Sequence, residues 1–454
     1  MSVPIRRPDF NAAYPSEEDF PRAMAQFAAV AMSGTAFLPA APAPPIALPD
    51  ASGLANLSSA RDLGVSILNA CGARVLSDHE GLVKMLLLSV PKGTETAFPA
   101  PPSTIDPRHL RHFDTLFRVF GNQVDYVIVA TPDQRAEVET LLIARNITTA
   151  RFVSSPHFNR SIWIQDAHVA LRDDQQRAIL LEGVAFNRFE DASVADDVAA
   201  QTKVRALQSV LYFQGGNVLG GSDVTLIGRD YLWRNTARYG MRTEADVARA
   251  FQQTFGTGIL GLGGSFPEPI RGLFRRGILS GYGLQPIFHI DMYVTRTGVS
   301  GSSGREIVFL GRPAAAHAVV GAYSDAPELN SPVYDNCFDR TKADLETMFE
   351  VRTLPLWITY GNLGDRLKFY NLTWNNVMVE NGQGIRQVLL PNYADPDDAK
   401  RYGVDLKLRQ ELQDAAAEAW RGIGFTVRFT DGMEDLAWGD GALHCMTKVL
   451  SRTI

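Results

Sequence analysis

The chain has 454 residues, 45% of them hydrophobic and 21% charged, with a formal net charge of −6. Such a length exceeds the ~100–200 residues of a typical domain, and the ordinary composition excludes a fibrous or wholly disordered protein. An acidic balance offers no basic stripe for a phosphate backbone, and no apolar run reaches the ~18–20 residues of a membrane span, so neither nucleic acid nor membrane is an expected partner.

The first 60 residues read as an Ala/Pro-rich extension or linker. Ala23 to Leu38 is apolar but interrupted by Gln26, Ser33 and Gly34, and it follows Glu17, Glu18 and Asp19. A secretory leader runs from a basic segment into an unbroken apolar core, so a cytoplasmic location is expected, with export the alternative that Arg6 and Arg7 leave open. Pro39 to Asp50 (PAAPAPPIALPD) is too rich in proline for helix or central strand.

From about residue 61 onward short apolar runs alternate with helical patterns, the signature of an α/β protein. Strands are predicted at Lys84–Val90, Asp125–Ala130, Ala150–Val153, Ala178–Leu181, Val224–Ile227, Glu306–Leu310, Asn376–Val379 and Val388–Leu390. Helices are predicted at Leu110–Phe120, Gln134–Ile143, Glu244–Phe255, Lys342–Phe349 and Lys407–Trp420, with Thr131-Pro132-Asp133 as a helix start. Gly256–Gly283 is glycine-rich and irregular, as loops over sites and idle insertions both are. The three cysteines, Cys71, Cys337 and Cys445, form no CxxC pair, which argues against a thiolate zinc site and a disulfide framework.

Four segments could carry chemistry. Trp163-Ile164-Gln165-Asp166, after Asn159 and Arg160, places a carboxylate among apolar neighbours, where it needs a cationic partner: a bound guanidinium, or an internal arginine. Phe213-Gln214-Gly215-Gly216-Asn217 allows close backbone approach, though a hairpin turn at a strand end is the plainer reading. In His289-Ile290-Asp291, a strand would aim the imidazole and the carboxylate to one face. Gly439 to Thr447 (GDGALHCMT) sets Cys445 behind a glycine turn, as a nucleophile or as an inert core thiol.

In this order the four segments resemble the guanidino-modifying superfamily of the pentein fold. Tyr370-Asn371, Asn376-Val377, Val388-Leu389-Leu390-Pro391 and GDGALHC look like the closing segment of agmatine deiminases, and WIQD looks like that of peptidylarginine deiminases. The resemblance covers roughly Lys84 to Thr447. It implies five pseudo-symmetric ββαβ modules in an α/β propeller around a central channel, so that residues 61–454 form one catalytic domain. It also implies a hydrolase that turns an arginine-like guanidinium into a ureido (citrulline-type) product plus ammonia. Cys445 would attack the guanidinium carbon, Asp166 and Asp291 would hold its nitrogens, and His289 would serve as acid and then base. Trp163, Gln214, Gly216, Asn217 and Gly441 would line the substrate. No metal or organic cofactor is required, and a homodimer is the assembly that relatives suggest.

Two positions depart from that pattern. Gln214 stands where deiminases of free arginine and agmatine carry glutamate, and Gln165 stands where the agmatine branch carries arginine. Both point away from free agmatine toward a less standard substrate, and the WIQD match favours a peptidyl or substituted arginine, with free arginine second. Recognition of an α-carboxylate would need an arginine near the channel; Arg229, Arg234, Arg296 and Arg312 are candidates, although internal ion pairs account for such residues as well. An amidinotransferase using the same cysteine and a non-catalytic binding protein are the alternatives.

Overall fold

A computed structural model describes residues 68–69, 71–91, 105–157, 160–184, 188–239, 241, 243–264, 284–327, 329–363 and 366–453. The proline-rich extension, Asn159 and most of the Gly256–Gly283 stretch lie outside the described residues.

Among the described residues the strands form five sheets, of four, three, four, three and four strands. In the first, Arg74–Val75 and Ala178–Glu182 flank His168–Arg172 antiparallel, and Arg205–Gln208 adds parallel. In the second, Val218–Leu219 pairs antiparallel with Val224–Gly228, and Gly258–Leu262 adds parallel. In the third, Val294–Ser300 pairs antiparallel with Glu306–Arg312, Glu350–Leu363 adds parallel, and Arg366–Thr373 closes antiparallel. In the fourth, Met378–Gly382 pairs antiparallel with Ile385–Asn392, and Thr426–Gly432 adds parallel. In the fifth, Lys448–Thr453 pairs antiparallel with Leu82–Ser89, followed in parallel by Asp125–Ala130 and Ala150–Ser154.

One order therefore recurs: an antiparallel pair, a helix, then a parallel strand. A parallel neighbour requires a crossover of a dozen or more residues, and helices supply it. Among them are Val194–Gln201, Glu244–Phe255, Asp339–Glu346, Leu406–Arg421 and Pro107–Phe120, at least one for each sheet. Helices packed on the sheets bury strands on both faces, which explains why Leu86, Leu87 and Leu88 are consecutive, apolar and wholly inaccessible.

The ends of the helices follow local chemistry. Thr131 and Gln134 form a reciprocal capping box ahead of Pro132–Ala144. Thr243 and Asp246 do the same for Glu244–Phe255, which stops at Gly256 with φ of 70°. The pattern over Lys342–Phe349 runs past its helix, which ends at Glu346: Phe349 turns into the core and Glu350 opens a strand. His289-Ile290-Asp291 is not a strand but the start of a 3-10 turn, Ile290–Met292. Gly215–Asn217 likewise is a 3-10 turn that leads into a strand, not a hairpin that ends one. No helix among the described residues is long and apolar enough to cross a membrane.

Candidate active site

The segment just ahead of each sheet's leading antiparallel strand contributes to one cluster. Asp166 precedes His168–Arg172, Gln214 precedes Val218–Leu219, and Asp291 precedes Val294–Ser300. Asn376 precedes Met378–Gly382, and Cys445 precedes Lys448–Thr453. Five turns from five sheets thus converge, and the backbone must approach closely where they meet. A Cβ on Gly216 would lie 2.6 Å from His289 Nδ1 and 3.0 Å from Asp166 Oδ1. At Gly441 a Cβ would strike the Trp163 indole, so the bare backbone is what lets that ring lie against the cysteine loop.

Cys445 is 3% exposed. The Asn376 side chain brackets it: its Nδ2 donates to Sγ at 3.0 Å, and its Oδ1 accepts from the Cys445 backbone N–H at 3.1 Å. Sγ also lies 3.5 Å from Asp291 Oδ2. Burial pushes the thiol well above its ordinary range, and the charges of Asp291 and Asp166 push it further.

Each of the two carboxylates is held by one oxygen. Asp166 Oδ2 accepts from the Arg188 guanidinium at 2.9 Å, and Asp291 Oδ2 accepts from His444 Nδ1 at 2.9 Å. Among the described residues, the other oxygens, Asp166 Oδ1 and Asp291 Oδ1, are buried without a hydrogen-bond partner, as is His289 Nδ1. Asp166 Oδ1 and His289 Nδ1 stand 3.6 Å apart. Buried polar atoms are nearly always paired, so three bare acceptors in one cluster mark a place built for something that donates.

His289 Nε2 lies 2.7 Å from Gln214 Oε1. The Gln214 amide nitrogen donates to the Tyr212 hydroxyl at 3.4 Å, and Arg234 donates to the same hydroxyl at 3.3 Å. With Oε1 as acceptor, the neutral imidazole carries its proton on Nε2 and turns its Nδ1 lone pair to the cluster. Burial lowers the pKa of His289, against the opposing pull of Asp166 and Asp291. Asn217 is fully engaged: it donates to Asp230 at 2.8 Å and accepts from Gln285 and from the Ile290 backbone N–H. It braces the turn that carries Asp291.

The four candidate arginines all meet internal acids. Arg229 faces Glu244 and Asp344, Arg234 faces Asp230, Arg296 faces Asp223 and Glu306, and Arg312 faces Asp335 and Asp339. Cys337 is a buried thiol pushed up to about 12 by burial, and Cys71 is half-buried. Among the described residues no group of three His, Cys, Asp or Glu side chains is arranged to hold a metal ion.

Arg188, His444 and Asp78 were not singled out by sequence. Arg188 belongs to no motif, and it meets Asp166 only through folding. Asn376 is part of the resemblance, which gives it no role; like Asp166, it sits two residues ahead of a leading strand.

No protein-family model and no curated protein sequence matches the chain. Solved structures do. An agmatine deiminase of C. jejuni aligns over 84% of this chain and 97% of its own, with 14% identity and a TM-score of 0.55. An agmatine deiminase of Enterococcus faecalis aligns over 85% and 98%, with 12% identity and a TM-score of 0.56. Over most of its length the chain therefore shares the fold of these agmatine deiminase structures.

Proposed function

We propose that the chain is a cysteine-dependent hydrolase of a guanidinium, built as five ββαβ modules of a pentein propeller. The observation that carries this reading is the trio of bare buried acceptors, Asp166 Oδ1, Asp291 Oδ1 and His289 Nδ1, gathered around the Cys445 thiol. A guanidinium is a planar cation rich in N–H donors, always protonated at neutral pH, and it answers such a set in shape, charge and hydrogen-bond sense.

The same charges explain how the thiol is activated. Asp291 and Asp166 hold the thiol up after burial has done so, and a guanidinium bound between them offsets both carboxylates. The proton then passes from Sγ to the His289 Nδ1 lone pair. The thiolate attacks the guanidinium carbon and forms the C–S bond. His289 returns its proton to one amino group, which leaves as ammonia and gives a covalent thiouronium. A water next gives a proton to His289 while its oxygen bonds to the same carbon. Collapse breaks the C–S bond, the hydroxyl proton passes to the released ammonia, His289 returns its proton to the freed thiolate, and a ureido group is left. The net reaction is guanidinium plus water to urea derivative plus ammonium.

Peptidyl or substituted arginine is the favoured substrate class. Arg229, Arg234, Arg296 and Arg312 are all committed to internal acids, which supports a substrate that offers no free α-carboxylate to them. The test is formation of ureido product and ammonia from benzoyl-arginine amide, an arginine peptide, free arginine and agmatine, with wild type beside Cys445→Ser. Turnover in the wild type that vanishes in the variant is expected. Turnover that survives the substitution would refute the thiol mechanism.

A further inference from the structure

His444 is the residue before the nucleophile, and the reaction described above gives it no task. Its ring is nevertheless held at both ends. Nδ1 lies 2.9 Å from Asp291 Oδ2, and Nε2 lies 3.5 Å from Asp78 Oδ1. A carboxylate only accepts, so the ring donates from both nitrogens when it pairs with both acids; the Gln165 amide nitrogen, a donor 3.4 Å from the same Nε2, competes with Asp78 there, and the two flanking anions favour the doubly protonated ring over that contact. His444 is therefore a cation enclosed between two anions, one of which is the Asp291 that also lies 3.5 Å from Cys445 Sγ.

We propose that His444 is a positioning residue: an imidazolium strung between Asp78 and Asp291 that pins Asp291 Oδ2, leaves Oδ1 to the substrate, and offsets the carboxylate's charge on the Cys445 thiol. The proposal rests on the hydrolase reading for the identity of that substrate, but its geometry does not. Asp78 is anchored in turn: its Oδ2 accepts from the Gly220 backbone N–H, and its backbone carbonyl accepts from Arg452 at 2.6 Å. The groups that face the ring are Asp78 from the loop after Arg74–Val75, Asp291 from the 3-10 turn, and the neutral Gln165 amide at 3.4 Å. Lys448 acts on Asp78, and His289 feels the His444 charge. Burial opposes the charge on His444, but the bonds to Asp291 and Asp78 prevail and raise it to about 9. A cavity of about 20 Å³ on this side, with Asp78, Gln165, His444 and Lys448 in its lining, has room for one water.

The arrangement repeats the device seen at Asp166, where Arg188 holds one oxygen and leaves the other bare. Each clamp carboxylate is thus half-satisfied from within. Were either free to rotate, it would present either oxygen, and the order that favours a planar ligand would be lost.

The experiment uses the full chain. Histidine-selective NMR of the wild type, with His444→Gln to assign the signal, is expected to show an imidazolium that persists through about pH 8. Asp78→Asn should move that titration down by about one unit or more, since one of two anions is gone. In parallel, iodoacetamide labelling of Cys445 is followed against pH by mass spectrometry. His444→Gln should move its midpoint alkaline by about one unit or more, because the charge that offsets Asp291 is lost. A folding defect alone would lower yield without moving that midpoint. A His444 that titrates at or below its ordinary range, or a labelling midpoint unchanged in a folded His444→Gln protein, overturns the proposal. If His444→Gln does not fold, the Asp78→Asn titration decides. Neither readout needs turnover, so absence of product from every guanidine would sink the hydrolase reading and leave this one standing.

Discussion

Gly216→Ala isolates the geometry of the cluster from its chemistry. The added Cβ would lie 2.6 Å from His289 Nδ1, and ordinary contact begins near 3.4 Å, so the imidazole must retreat by about 0.8 Å. Asp166 Oδ1, 3.0 Å away, must give a few tenths of an ångström as well. Both obstacles are side-chain atoms, so the fold can absorb the methyl at the ~1–3 kcal/mol typical of overpacking. The reaction cannot, because a misplacement of about 1 Å at the reacting centre costs on the order of 100-fold. Steady-state ureido formation on the best substrate should therefore show kcat down by roughly 50–100-fold with a folded, cooperatively melting protein. Gly215→Ala provides the contrast. There the Cβ would strike the backbone oxygens of Gln165 and His168, which cannot swing away, so that variant should lose stability first. A Gly216→Ala enzyme with kcat within about threefold of wild type would refute the placement of His289 Nδ1 at the reacting atoms.

Two further outcomes follow from the charges. Gln214→Glu puts a carboxylate at the 2.7 Å contact with His289 Nε2, so the His289 titration should rise by about one unit or more, read by histidine-selective NMR; an unmoved signal would show that Gln214 does not govern this ring. His444 has a folded pKa of about 9 against an ordinary 6.5. A raised pKa means its stabilisation is complete below about pH 6.5 and is lost as pH rises through about 9. The gap in unfolding free energy between wild type and His444→Gln should accordingly shrink by on the order of 3 kcal/mol from about pH 6 to about pH 9.5, measured by denaturant titration; a gap that does not narrow would refute the ionic bridge.

The elements were largely legible because they are local. Asp125–Ala130 and Glu244–Phe255 have the predicted bounds, since β-branched runs and a capping box with a terminal glycine are written in adjacent residues. The turns were less legible. His289 and Asp291 do reach one cluster, but through a 3-10 turn whose shape depends on Asn217 accepting from the Ile290 N–H across 73 residues. The site's cations were not legible at all. Arg188 and Asp166 are 22 residues apart, and Asp78 and His444 are 366 apart, so only the fold decides that they meet. The WIQD carboxylate meets the internal arginine that the plainer reading expects through one oxygen, while the other has no hydrogen-bond partner among the described residues.

The pairing of Lys448–Thr453 with Leu82–Ser89 sets a clock on the ribosome. Lys448 sits opposite Leu87, so the older strand emerges and must wait for its partner while the sequence between them is made, roughly 20–70 s at ~5–20 residues per second. In the finished sheet LVKMLLLS pairs with Asp125–Ala130 on one side and Lys448–Thr453 on the other, so among the described strands only the first of these partners can be present during that wait. An uncovered edge of this kind is what holding chaperones bind and what nascent chains aggregate through. Cys445, the proposed nucleophile, arrives just ahead of the same late strand, so the nascent chain gains that thiol only in the step that covers this edge.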